Sequence, residues 1–205
     1  MASPTIFDKL LTQGVREGKV PARTQDAREW YRNSVGRWVA QTGGRVNENN
    51  FLQKDKDRVR TTIKPGEMYL YHYDAKHKDT LPYWDRFPMV FPFKVEGNRF
   101  WGLNLHYLPL RERAILMDAL YTLTNNTRYD ESTKLKMSYE VLSGAAKFRL
   151  FKPCIKQYLY SQVASNFLYV YPSEWDMALF LPVERFVGAT KSQVWKDSKQ
   201  MLKAK

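Results

Sequence analysis

This 205-residue chain has one cysteine, Cys154, which excludes an internal disulfide and any cysteine zinc cluster. Its only histidines are His72, His77 and His106, and no two stand at the i, i+4 spacing of a helical metal pair. No apolar run approaches the ~18–20 residues that span a bilayer, so no membrane partner is expected. The start, MASPTIFDKLLTQG, has no basic stretch leading into an apolar one, so no secretory signal is expected there. Phosphate-cradling glycine loops are missing too: Gly43-Gly44 is not followed by the Lys-Ser/Thr pair that such a loop uses. Internal repeats and low-complexity segments are absent.

Positive charge and aromatic rings are plentiful. Thirty-three Lys and Arg face 21 Asp and Glu, a formal net charge of +12. The excess is uneven: residues 1–64 carry net +6, residues 65–129 net +1, and residues 130–205 net +5. A field of this sign favours polyanions, nucleic acid above all, or an acidic protein surface. Hydrophobic residues at 43% and aromatics at 15% suffice for a packed core.

The most informative stretch is Gly66 to Leu110. Three runs dense in aromatic and branched residues read as strands, Met68–Tyr73, Pro88–Lys94 and Arg99–His106. Val95-Glu96-Gly97-Asn98 supplies a hairpin turn between the last two, and Asp74–Asp85 is a longer polar loop. The expected fold is α+β: a small SH3-like antiparallel β-barrel or sheet flanked by N- and C-terminal helices. The expected division is 1–64, a basic helical arm and tether; 65–110, the aromatic β module; and 111–205, a helical region packed on it.

Helical spacing supports this layout. Ile6, Phe7, Leu10, Leu11 and Val15 form one stripe after a cap at Ser3-Pro4, and Thr24 caps a second helix, Gln25 to about Gln41. Residues 42–64 read as a polar tether with no core to serve. Helices are expected from Arg111 to about Leu123, after Asp130 up to Gly144, from Pro153 to Ala164, and from Lys191 after a Thr190 cap. Asn166–Tyr171 is strand-like, and Glu174–Leu181 fits either strand or helix.

No catalytic, cofactor or metal site is expected. His72 and His77 with Asp74 or Asp85 do not have metal-ligand spacing, and Cys154 sits among apolar residues with no orienting signature. Asp74, Asp79 and Asp85 share one loop, the only arrangement from which a two-metal nuclease would be built. Their Lys76 and Lys78 neighbours favour a solvated loop. Two basic clusters lack an obvious core role and are the candidate nucleic-acid contacts: Lys54, Lys56, Arg58, Arg60 and Lys64, and Lys147, Arg149, Lys152 and Lys156.

Several segments together resemble a family of virion proteins from T-even-type contractile-tailed phages, described as DNA end protector proteins. They are IFDKLLTQG at 6–14, GKVPART with AREWYRN within 18–33, GEMYLYHYDAKHKDTLPYWDRFPMVFP at 66–92, GLNLHYLP at 102–109, NNTRYDESTKLKMSYEVL at 125–142 and SEWDMALFLPVERF at 173–186. The resemblance implies a non-enzymatic structural component of the head–neck or tail region, assembled in the host cytoplasm. It implies double-stranded DNA and other virion proteins as partners, with no cofactor. Two further readings remain open: a neck or baseplate protein–protein adaptor that never meets DNA, and a nuclease acting at DNA ends through the loop carboxylates.

Overall fold

The computed structural model describes residues 5–19, 24–43, 56–124, 140, 143–144 and 149–203. Two helices lead, α1 (Ile6–Arg16) and α2 (Gln25–Thr42). The cap of α1 is Thr5: its side chain accepts from the Asp8 amide, and Asp8 accepts from the Thr5 amide in return. Thr24 caps α2 as expected. The two helices approach closely at Gly14, where a Cβ would lie 2.1 Å from the Tyr31 hydroxyl. Only glycine fits that crossing.

Eight strands follow: β1 (Val59–Arg60), β2 (Met68–Leu70), β3 (Trp84–Asp85), β4 (Met89–Glu96), β5 (Arg99–Asn104), β6 (Ile155–Leu159), β7 (Phe167–Val170) and β8 (Phe186–Val187). Three helices complete the described elements: α3 (Leu110–Thr124), α4 (Trp175–Ala178) and α5 (Lys191–Lys203). Six strands make one antiparallel sheet in the order β1-β7-β2-β4-β5-β6, and β3 pairs with β8. The β4–β5 hairpin closes Glu96 against Arg99 across Gly97-Asn98, and Gly97 takes the φ of +57° that such a two-residue turn requires.

This arrangement corrects the barrel expectation. The end strands β1 and β6 do not pair, so the sheet is open. Strands from residues 59–60, 155–159 and 167–170 extend it beyond the aromatic block. Two local expectations also change. The helix expected over Pro153–Ala164 is instead β6 followed by a short 3-10 turn, because β5 offers a free edge and Phe100 stacks on Tyr158 across it at 5.2 Å. The far end of the expected tether enters the sheet as β1, and Ile63 is buried. The helix expected after Asp130 lies almost wholly outside the described residues. The ambiguous Glu174–Leu181 stretch contains α4.

The sheet has two unlike faces. Met68, Leu70, Met89, Phe91, Leu103, Leu168 and Val170 alternate onto one, where Phe7, Leu10, Tyr31, Val35 and Trp175 from the helices cover them. Burying each such side chain contributes roughly 1.5–3 kcal/mol. Onto the other face turn Tyr69, Tyr71, Tyr73, Phe100, Tyr158 and Phe167, an aromatic cluster whose rings meet mainly edge to face.

Candidate nucleic-acid interface

The basic residues fall at opposite ends of the sheet. Lys56 and Arg58 form a 3-10 turn leading into β1, which carries Arg60 and is one edge strand. Lys152 and Lys156 lie just before and within β6, the other edge. Five strand spacings separate these edges, on the order of 24 Å. The two clusters therefore do not merge into one patch on the sheet.

Their side chains also differ. Arg58 is buried and forks onto Glu174, with Nη1 donating to Oε2 and Nη2 donating to Oε1 at 2.6 Å. Its guanidinium also lies 4.5 Å from the Tyr171 ring centre. Burial outweighs this pairing and raises the Glu174 carboxyl above its ordinary range. Arg60 is half-buried over the Tyr169 ring and donates to the Asp57 and Val59 carbonyls. Lys56, Lys64 and Lys152 are exposed. The Lys156 ammonium is half-buried, 3.9 Å above the Tyr107 ring, and burial pulls it down to about 8. Arg149 begins the turn that precedes β6, while Lys54 and Lys147 lie outside the described residues.

Other cations are tied inside. Arg32 bonds both Asp176 and Asp118 at 2.7 Å. Arg113, fully buried, donates to Glu184 at 2.7 Å and to the carbonyls of Leu108, Leu179 and His106. Burial would raise the Glu184 carboxyl, but Arg113, with His106 and Lys191, holds it below the ordinary range. A few of the chain's cations are therefore structural.

The carboxylates of the 74–85 loop do not converge on one point. Asp74 pairs with Lys78 at the surface. Asp85 is buried: one oxygen meets His106 Nδ1 at 2.6 Å and the Asn104 amide at 3.2 Å, and the other accepts from the Phe87 and Arg185 backbone amides. Both Asp85 oxygens are thus engaged in holding the loop to β5 and to the segment before β8. Among the described residues no group of three or more His, Cys, Asp or Glu is arranged to hold a metal ion. Cys154 is buried beneath the turn before β6, donates to the Phe151 carbonyl, and is pushed up to about 12 by burial, which leaves it an unreactive thiol.

A cavity of about 530 Å³ opens between the 74–85 loop and β6, lined by Tyr73, Trp84, Asp85 and Tyr158 together with Lys76 and Lys156. Nothing local in the sequence marks it, because its walls come from segments some eighty positions apart. The clue available was the aromatic flank of Asp85, which argues against a merely solvated loop.

The family described as phage T4 terminal DNA protecting protein matches residues 12–202. The chain belongs to that family. The family's description carries a DNA-protecting role. Comparison with curated proteins and with solved structures returns no significant match. No described helix is long and apolar enough to cross a membrane.

Proposed function

We propose that this chain is a non-enzymatic structural component of a contractile-tailed phage virion, placed at the head–neck or tail region, that binds the ends of packaged double-stranded DNA. The observation that carries this reading is the family match over residues 12–202, nearly the whole chain. The net charge of +12 supports it, since phosphate contacts supply most sequence-independent affinity. Lys56, Lys64, Lys152 and Lys156 are the described cations best disposed for phosphates, with Lys54, Lys147 and Arg149 completing the proposed set. Arg60 contributes only by leaving its ring contact, and Arg58 by breaking a buried pair.

The test is protection. Linear blunt-ended duplex is incubated with an exonuclease, with and without the protein, beside a nicked circle treated with a nicking-dependent nuclease. Protection confined to the linear substrate is the expected result. Equal shielding of both DNAs would reduce the reading to nonspecific polyanion binding. No protection, together with capture of an acidic virion subunit, would favour the adaptor. Metal-dependent cleavage by the protein alone would restore the nuclease.

A further inference from the structure

Resting on the DNA-end reading, we propose that the cavity between the 74–85 loop and β6 receives one unpaired nucleotide of a DNA end. Its volume, about 530 Å³, lies in the range of small-ligand sites and is far too small for a duplex about 20 Å across. Its aromatic walls are the buried Tyr73 and Tyr158, already packed in the core cluster, and the half-buried Trp84, which is the ring left to stack a base without reading its identity. The Trp84 indole N–H is buried with no acceptor among the described residues.

Charge orients the occupant. The inner wall holds Asp85, whose carboxylate excludes a phosphate from the interior. Lys76, exposed at the rim, and Lys156, over Tyr107, provide the cations a phosphate needs. The ring therefore enters and the backbone stays outside. All five residues of β6, Ile155 to Leu159, line the space, so the open edge of the sheet borders it and offers main-chain donors and acceptors to the edge of a base.

Two measurements keep this inference separable from the DNA-end reading. Binding of a dye-labelled single-stranded trinucleotide tests the cavity alone. Trp84→Ala with Lys76→Gln should weaken it at least about fivefold, the scale set by the loss of one base stacked on an aromatic ring. Lys76→Gln by itself changes an exposed residue and guards against misfolding as the explanation. Binding of duplexes tests the end: a two-nucleotide overhang should bind about tenfold tighter than a blunt end, and the double variant should abolish that gain while leaving blunt-end binding intact. A trinucleotide bound equally by wild type and variants, or an overhang gain that survives both substitutions, overturns the inference. Equal affinity for a covalently closed dumbbell and a linear duplex overturns the end reading instead, whatever the trinucleotide does.

Discussion

The two edges of the sheet carry the same sign of charge and use it differently. At the β1 edge the two arginines turn their planar forks into the protein, Arg58 onto Glu174 and Arg60 onto the Tyr169 ring and nearby carbonyls, while Lys56 and Lys64 nearby stay exposed. At the β6 edge they are lysines, and among the described residues no carboxylate pairs with Lys152 or Lys156. A guanidinium has five donors in a fixed plane and satisfies a bidentate carboxylate even when buried. A lysine is a compact point charge on a flexible stem, better suited to meeting a phosphate whose position varies. The two arginines of the β1 edge therefore help hold the fold, whereas Lys56 and Lys64 near it, and Lys152 and Lys156 at the other edge, hold no buried carboxylate among the described residues.

The largest effect should come from the β1 edge and should appear in stability. Arg58→Ala leaves Glu174 buried without its partner, at a cost of about 3–5 kcal/mol. Urea unfolding of the variant should show this, while Arg58→Met with Glu174→Gln should recover much of the stability by removing both charges. If Arg58→Ala is as stable as the wild type and binds DNA more weakly, the contrast between the edges is wrong.

The β6 edge should respond in binding and hardly in stability. Lys152→Gln with Lys156→Gln should cost under about 1 kcal/mol of folding free energy, since neither lysine holds a buried carboxylate. It should flatten the log–log dependence of duplex affinity on salt by about 0.9 for each phosphate no longer neutralised. Lys56→Gln with Lys64→Gln gives the corresponding measurement near the β1 edge. An unchanged salt slope in both pairs would move DNA binding away from the sheet edges altogether.

Much of the fold was legible where local signals agree with the tertiary ones. β2, β4 and β5 follow from aromatic alternation, α2 and α5 from Thr24 and Thr190, whose hydroxyls accept from Ala27 and Gln193. β6 was not legible, since Pro153–Ala164 alternates only weakly and becomes a strand because β5 has an unfilled edge. Arg58 was misplaced for a like reason: its partner is 116 positions away, and a polar segment carries no sign of a distant carboxylate. The full extent of the sheet was missed because the aromatic block contains only part of it. Charge counts favour a polyanion partner but do not say which cations would face it, and that depends on pairings visible only in three dimensions.

A smaller effect separates Lys156 from its neighbour through pH. Burial lowers the ammonium from 10.5 to about 8, so its charge fades as pH rises from 7 to 9. If Lys156 contacts phosphate, duplex affinity at fixed salt should fall across this range by less than tenfold per pH unit, the limit for one proton. Lys156→Gln should remove that dependence, and Lys152→Gln should not. Stability should move the other way. Between pH 8 and 9 the unfolded chain holds the Lys156 proton more tightly than the folded one, so unfolding free energy rises with pH. Above about pH 9 buried Cys154 opposes this, because its folded thiol is pushed up to about 12 and the unfolded chain releases that proton first. Binding that weakens while the fold strengthens, within a single pH unit, is a signature that an alkaline loss of structure does not produce. Affinity and stability falling together over pH 8–9 would instead attribute the loss of binding to loss of structure and overturn this role for Lys156.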